Sequence, residues 1–183
     1  MHETHEKRPL GQGGKTRINE AKYENAILYF CSQLGGALRG RKKLAKLLYY
    51  ADFDSYEYKE SMQSVTGDSY TVLEMGPVPD NYKSVLLRLA RAGQIEISRE
   101  SEMPGGKPTE VYALAHSAAP NMLVFSEDER FVLARVAKKY GRLNGRQLEA
   151  LTHAEAPYLA TEPNCKIEYG LAFYRGTDFA DAV

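Results

Sequence analysis

Residues 43–52 read KLAKLLYYAD and form the centre of the segment that decides the fold. At helical spacing they begin a stripe made of Leu44, Leu47, Leu48, Ala51 and Ser55. Aromatic side chains occupy the other sides of the same helix: Tyr49, Tyr50, Phe53 and Tyr56. A helix that is apolar on most of its sides packs against neighbours on more than one face. We therefore predict a central, aromatic-rich helix from Lys42 to about Lys59.

The charged residues of this helix are distributed against its dipole. Basic residues crowd the N-terminal end: Arg39, Arg41, Lys42, Lys43 and Lys46. Acidic residues crowd the C-terminal end: Asp52, Asp54, Glu57 and Glu60. The dipole favours the reverse arrangement by about 0.3–1 kcal/mol for each well-placed charge. Two explanations stay open: tertiary partners compensate the charges, or the basic end serves binding.

The composition limits the classes of protein to which the chain can belong. Its 183 residues suit one domain, and 24 basic against 24 acidic residues argue against a dedicated nucleic-acid binder. No apolar run reaches the length of a membrane span, and no export signal is visible. Cys31 and Cys165 lack the spacing of metal ligands. We expect a cytoplasmic protein without metal, cofactor or membrane partner.

The two ends of the chain differ from its middle. Residues 1–19 contain three glycines and few large apolar side chains, so we predict a flexible leader. Residues 177–183 are predicted to be a frayed tail. The domain is expected to span residues 20–176, with a first helix that begins near Ala21 and is closed by Gly35 and Gly36.

The segment after the central helix changes its pattern. A turn at residues 66–68 (TGD) predicts a short extended segment or hairpin within residues 63–75. The two prolines of residues 76–79 (GPVP) fix φ and remove backbone donors, so we expect no regular element there. Asp80 is the expected N-cap of a third helix that Gly93 closes.

The remaining elements set the fold class. Alternation at Ile95 and Ile97 and a returning strand at residues 111–114 predict a β-hairpin. Two capping boxes predict further helices: Ser126 with Glu129, and Asn144 with Gln147. The predicted fold is α+β and mainly α, a helical domain around the aromatic-rich helix with a small wing-like hairpin.

The order of three helices and a hairpin also fits a winged helix-turn-helix regulator that binds DNA. The reading helix would be residues 80–92, with Lys83, Arg88 and Arg91, and the wing would carry Lys107. Acidic residues flank this wing and weaken its attraction to phosphate. About twenty residues separate the second and third helices, whereas a helix-turn-helix uses a turn of about 3–4 residues. DNA binding is the alternative function.

Catalytic motifs are not found in the sequence. It has no GxSxG, HExxH, Walker or Rossmann pattern. His153 and Glu155 could pair as a base and its orienting group, but no nucleophile lies near them in the sequence. A histidine at a helix C-terminus more often stabilises the dipole. We expect no enzymatic activity.

Three blocks taken together resemble the Panacea, or SocA-like, antitoxin domain. They are residues 43–52, similar to that family's KLxKLLYxAD helix; residues 66–82, with TGDSY, GPVP and Tyr82; and residues 148–158, ending in HAEAPY. The similarity covers residues 21–174. Relatives commonly have Trp after the closing proline, where this chain has Tyr158. Tyr keeps the aromatic plane and adds a hydroxyl.

The resemblance implies a bacterial or phage antitoxin that neutralises a toxin, usually encoded next door, by direct protein contact and without turnover. Occlusion of the toxin suffices, and delivery to a protease or chaperone stays open. The expected partner-binding residues are Lys43, Lys46, Tyr49, Tyr50, Gly76, Pro77, Tyr82, His153, Glu155, Pro157 and Tyr158. Lys43 and Lys46 are expected to point away from the leucine stripe, toward an acidic toxin surface. The competing role of the tyrosines is core packing.

Overall fold

The computed structural model describes residues 18–101 and 105–180. Its α-helices are α1 (Glu20–Gln33), α2 (Arg41–Glu57), α3 (Tyr82–Arg91), α4 (Glu127–Tyr140), α5 (Gly145–His153) and α6 (Ala156–Leu159). Its strands are β1 (Ala37–Arg39), β2 (Tyr70–Leu73), β3 (Gly76–Pro79), β4 (Ile95–Glu100) and β5 (Thr109–Leu114). Short 3-10 helices cover Tyr58–Glu60, Met122–Val124 and Tyr169–Tyr174. The predicted class, α+β and mainly helical, is confirmed.

The central helix is α2, as the leucine and tyrosine pattern predicts. Every residue from Leu44 to Ser55 is buried. Helices α1, α4 and α5, strand β3 and the 3-10 helix Tyr169–Tyr174 all pack against α2. Burying one leucine or phenylalanine side chain stabilises a fold by about 1.5–3 kcal/mol. The apolar sides of α2 therefore organise the core.

A three-stranded sheet lies beside the helices in the order β1-β5-β4. Strands β4 and β5 are the predicted hairpin, with Ile97 opposite Tyr112. Strand β1 adds to the other edge of β5, with Leu38 opposite Tyr112. The sheet thus joins the segment before α2 to the hairpin after α3. Three residues are too few to show a readable strand period, so β1 was not predicted.

The expectation that no regular element crosses Gly76–Pro79 is wrong. These residues form β3, which pairs with β2 as an antiparallel ribbon. The Asp80 amide donates to the Ser69 carbonyl at 3.0 Å. Because amides in an antiparallel ladder alternate in direction, the Val78 amide also faces β2. Both prolines then hold positions whose nitrogens face away from β2, where no donor is needed.

The start of α3 also differs from the prediction. The residue before α3 is Asn81, and its side chain makes no capping bond within the helix. Asp80 instead accepts a hydrogen bond from the Thr71 hydroxyl at 2.8 Å and forms an ion pair with Lys166. The Asp80 carboxylate, which was expected to cap α3, therefore binds Thr71 of the ribbon and Lys166 instead.

Both predicted capping boxes are present. Ser126 and Glu129 exchange hydrogen bonds at the start of α4, and Asn144 and Gln147 do so at the start of α5. These bonds satisfy backbone donors that a helix leaves open in its first turn. In the described part of the chain, no helix is both long and apolar enough to cross a membrane.

The predicted leader and tail fall partly outside the described residues, at residues 1–17 and 181–183. Within the described part, Ile18 packs against the core and Asn19 caps α1. Contacts at the other end continue past residue 176. Arg135 donates to the Asp178 carbonyl at 2.7 Å and lies over the Phe179 ring.

Candidate functional site

Most residues predicted for partner binding meet where α2, β3, α5 and α6 pack together, which we call the α2–β3–α5 junction. All three sequence blocks contribute to it. The junction contains Lys46 and Tyr49 of α2, Gly76 and Pro77 of β3, His153 of α5, and Glu155, Pro157 and Tyr158 at α6. Three blocks that are far apart in the sequence thus lie next to one another in the fold.

Lys46 is the buried charge of the junction. Its side chain is 0% exposed, and its ammonium donates to the Pro77 carbonyl at 2.7 Å. Burial lowers the pKa of Lys46 to about 7, while the nearby Glu149 carboxylate opposes the shift. The expectation that Lys46 points outward to a toxin is wrong. β3 and α5 cover this side of α2, and helical periodicity on α2 alone does not reveal them.

Gly76 is required for two independent reasons. Its φ of +91° lies in the left-handed region, which disfavours side chains. A Cβ atom at Gly76 would lie 2.6 Å from Nζ of Lys46 and 2.9 Å from Oγ1 of Thr152. The glycine therefore lets the ribbon approach α2 and α5 closely enough for the Pro77 carbonyl to accept from Lys46.

His153 and Tyr158 form a stacked pair at the edge of the junction. Their ring centroids are 4.2 Å apart and their planes differ by 9°. Burial lowers the pKa of His153, which favours the neutral ring. Its Nε2 atom is buried and has no hydrogen-bond partner within the described residues. Tyr158 thus uses its ring plane for stacking, as expected for an aromatic residue at this position.

Glu155 faces inward and does not orient His153. The Tyr49 hydroxyl donates to Oε2 of Glu155 at 2.8 Å, and Nε of Arg175 lies 3.3 Å from the same oxygen. Burial raises the pKa of Glu155, whereas Arg175 and the Tyr49 bond act in the opposite direction. The carboxylate therefore ties α2 to α6 and to the C-terminal segment. The hypothesis that Glu155 orients His153 as a catalytic base is therefore wrong, because the Glu155 carboxylate is engaged by Tyr49 and Arg175 instead.

The other predicted residues lie elsewhere in the fold. The Lys43 ammonium donates to the Gly141 carbonyl at 2.5 Å, and the Tyr50 ring stacks on Tyr140 with centroids 3.8 Å apart. Tyr82 is buried at the start of α3. Tyr49, Tyr50 and Tyr82 are therefore core residues. Pro157, which belongs to the junction, is buried in the first turn of the short helix α6 next to Tyr158.

Two arginines from other parts of the chain contact the C-terminal end of α2, and the sequence analysis did not predict them. The Asp54 carboxylate forms ion pairs with Arg135 of α4 and with Arg175, and all three side chains are at most 1% exposed. Arg175 also lies over the rings of Tyr49 and Tyr50. No local pattern marks these arginines, because Asp54 and Arg175 are 121 residues apart.

Two buried aspartates explain the TGDSY block. Asp52 accepts hydrogen bonds from the Thr66 amide at 2.7 Å and from the Tyr70 hydroxyl at 2.7 Å. Asp68 accepts from the Tyr23 hydroxyl at 2.8 Å and from the Asn81 amide at 2.9 Å. Burial raises the pKa of Asp52 to about 7, although the donated bonds favour its charged form. The block fixes the loop that carries the ribbon onto α2.

Exposed apolar side chains flank the junction. Met75 at the turn of the ribbon is 54% exposed, Leu151 of α5 is 43% exposed and Leu159 of α6 is 69% exposed. Each is a near sequence neighbour of a junction residue, namely Gly76, His153 or Tyr158. Single exposed apolar side chains are common on protein surfaces, so only their position beside the junction makes these three candidates for contact with a partner.

The described residues give no support to a metal centre, since they contain no group of three or more His, Cys, Asp or Glu side chains placed to hold an ion. Cys31 and Cys165 are not joined in a disulfide.

Comparison with known proteins identifies the family of the chain. Neither the curated proteins nor the solved structures include a match. The family model described as "Antitoxin SocA-like, Panacea domain" matches residues 44–158, more than half of the chain. The match begins on α2 and ends at Tyr158, so it contains every residue of the junction. The chain therefore belongs to the SocA-like antitoxin family and carries its Panacea domain.

Proposed function

We propose that this protein is an antitoxin that neutralises a cognate toxin by direct protein–protein contact, without catalytic turnover. Membership in the SocA-like antitoxin family supports the antitoxin role. The observation that carries the proposal is the junction, in which Lys46, Gly76 and His153 from three separate sequence blocks pack together. A toxin that is occluded at this surface needs no further chemistry. Transfer to a protease or chaperone would be an additional step.

The contact surface that we propose is the exposed rim of the junction. It comprises Met75, Leu151, the His153–Tyr158 pair and Leu159. Burial of Lys46 and Tyr49 gives these residues an indirect role, because they support the junction beneath the rim and do not reach its surface. Few residues carry most of the binding energy of an interface, and Trp, Tyr and Arg near its centre are enriched among them. Tyr158 is the best candidate, and Leu159 is its exposed neighbour.

The test is co-expression with the product of the neighbouring gene, in the cytoplasm of a bacterial host. We expect the neighbour to be toxic alone and harmless with this chain, and the two proteins to copurify. A harmless neighbour, or rescue without any complex between the two proteins, would count against the proposal.

A matched pair of variants locates the contact surface. Leu159→Asp changes a leucine that is 69% exposed at the rim, and Leu123→Asp changes one that is 90% exposed on the 3-10 helix Met122–Val124. Loss of a central apolar contact costs about 2 kcal/mol or more, roughly a thirtyfold weaker complex. We expect Leu159→Asp to weaken the complex and Leu123→Asp to leave it unchanged. Equal effects would remove the rim from the proposal.

Catalysis predicts a different outcome for His153. If the protein acted as an enzyme through His153, a folded His153→Asn variant would lose neutralisation completely while still forming the complex. We expect complex formation and neutralisation to change together. Loss of neutralisation with an intact complex would contradict action by binding alone.

DNA binding is the second candidate, and the sheet supports it. The order α1, β1, α2, β2, β3, α3, β4, β5, with β1 paired to β5, keeps the three helices and the hairpin expected for a wing, but the β2–β3 ribbon separates α2 from α3. However, Arg88 of the proposed reading helix forms ion pairs with Glu20 and Glu24 of α1. Binding of duplex DNA, measured by anisotropy, would have to fall steeply with salt. Weak, sequence-independent binding would eliminate this function.

A further inference from the structure

A cationic cleft lies where the N-terminal ends of α2 and α5 meet. It is at the opposite end of α2 from the buried ion pairs of Asp54. Its volume is about 400 Å³, within the range of clefts that hold small molecules. Its charged lining residues are all basic: Arg39, Lys42, Lys43, Arg142 and Arg146. The rest of the lining is uncharged, with Gly40, Thr109 and Asn144 among it.

The uncapped N-terminal end of α2 adds donors and positive potential to this cleft, whereas the Asn144 side chain already caps the first amides of α5. Gly40, which precedes α2, has no side chain to cap the helix, and α2 has no acidic residue in its first turn. The first amides of a helix have no intrahelical acceptor, and the dipole places partial positive charge there. Gly145 starts α5, and a Cβ atom at this position would lie 3.3 Å from the Lys42 side chain. A glycine thus permits the close approach of both ends.

Neighbouring carboxylates neutralise only part of this charge. Lys42 forms an ion pair with Glu149, and Arg39 forms one with Glu100 at 2.5 Å. Lys43 donates to the Gly141 carbonyl, and burial lowers its pKa. Arg142 and Arg146 are exposed and have no carboxylate partner in the described part of the chain. Arg142 and Arg146 therefore carry the uncompensated positive charge of the cleft, and an anion bound beside them would relieve their repulsion.

We propose that this cleft binds the phosphate group of a small molecule, either inorganic phosphate or a nucleotide. Phosphate combines two negative charges with several acceptor oxygens, which suits the guanidinium groups of Arg142 and Arg146 together with the open first amides of α2. A concave site favours a small ligand over a flat protein surface. Arg142 and Arg146 are the expected direct ligands. The site lies apart from the rim residues Leu159 and Tyr158 and does not depend on toxin binding.

The test uses the full chain with inorganic phosphate and with ATP, in a buffer of constant ionic strength made up with chloride. Calorimetry gives the affinity, and thermal unfolding gives the shift of the midpoint temperature. We expect both ligands to raise this temperature. Arg142→Gln and Arg146→Gln should each weaken binding about tenfold, because each removes a charge-assisted hydrogen bond. Arg91→Gln on α3 removes an equal charge elsewhere and should leave affinity unchanged.

The outcomes separate the two sources of phosphate. ATP that binds tighter than phosphate by about tenfold or more identifies a nucleotide site, and equal affinities identify a site for phosphate alone. Circular dichroism confirms that each single variant folds. Binding that disappears at matched ionic strength, or that Arg91→Gln weakens equally, would overturn the proposal. Binding of duplex DNA with no binding of either small ligand would overturn it as well.

Discussion

The two ends of α2 both carry charges that the helix dipole disfavours, but these charges have different surroundings. At the C-terminal end the acidic Asp54 is completely buried and is neutralised by Arg135 and Arg175. At the N-terminal end Arg41 is 54% exposed and forms one ion pair, at 3.4 Å, with Glu110. The fold neutralises Asp54 with buried arginines and leaves Arg41 largely in water.

This difference bears on the two explanations that the sequence left open for the reversed charges of α2. Tertiary partners explain the acidic end, and binding is our proposal for the basic end. Tertiary partners compensate the acidic end, because a buried carboxylate without a partner is costly. The basic end borders the cationic cleft, where positive charge is available to a ligand. The predictions below test this division by disturbing each end and the buried lysine between them.

The largest expected effect is at the buried acidic end. Arg175→Ala should lower the free energy of unfolding by about 3–5 kcal/mol, because it leaves Asp54 and Glu155 buried with a missing partner. Urea unfolding at pH 7 measures this change. Arg91→Ala, an exposed arginine of α3, serves as control and should stay within about 0.5 kcal/mol. A cost below 1 kcal/mol for Arg175→Ala would show that the ion pairs do not stabilise this end.

Gly76→Ala should have the next largest effect. The new Cβ atom would meet the buried Lys46 and Thr152 side chains, and the residue would keep a positive φ. We expect a loss of about 3 kcal/mol in the free energy of unfolding. Gly35→Ala is the control, since Gly35 has a φ of +81° and open space around it, and it should lose only about 1 kcal/mol. Equal losses would contradict close packing at the junction.

Lys46 should make stability depend on pH. Its folded pKa of about 7 lies below the unfolded value of about 10.4, so between these values the unfolded chain binds more protons. Raising the pH from 7 to 9.5 should therefore stabilise the wild type relative to Lys46→Met, by about 1 kcal/mol per pH unit. Urea unfolding across this range measures the difference. Parallel pH curves for the two proteins would show that Lys46 stays charged when buried.

The smallest expected effect is at the exposed basic end. Arg41→Ala should change the free energy of unfolding by less than about 0.5 kcal/mol, because half-exposed ion pairs contribute little. The measurement is the same urea titration that is used for Arg175→Ala. A loss above about 1.5 kcal/mol would mean that this end is also part of the structural core, and the contrast between the two ends would fail.

Local patterns predicted the elements that depend on local interactions. The spacing of Leu44, Leu47 and Leu48 predicts α2, and the pair of Ser126 and Glu129 predicts the start of α4. Both signals work because the residues involved lie within one helical turn or a few turns of each other. Strand β3 was missed because whether a proline fits a strand depends on which edge faces the partner strand. That partner is known only in the folded chain.

The candidate site was predicted as a set of residues but not as a geometry. The family resemblance selected Lys46, Gly76 and His153, and the structure brings them together. The resemblance did not show that Lys46 and Tyr49 are buried. A lysine that lies off the leucine stripe of α2 is expected in water unless another element covers that side. The rim residues Met75 and Leu159 had no signal, because an apolar side chain in the sequence is expected in the core.

The sequence by itself determined the helical class, the central helix, the caps of α4 and α5 and the family of the chain. These properties follow from neighbours within a few residues or from blocks in a fixed order. Only the tertiary structure decided which charges are buried, since Asp54 and Arg175 meet across 121 residues. Burial changes the energy of a charge more than its position on a helix does. The functions of the two ends of α2 therefore depend on what the fold places beside them.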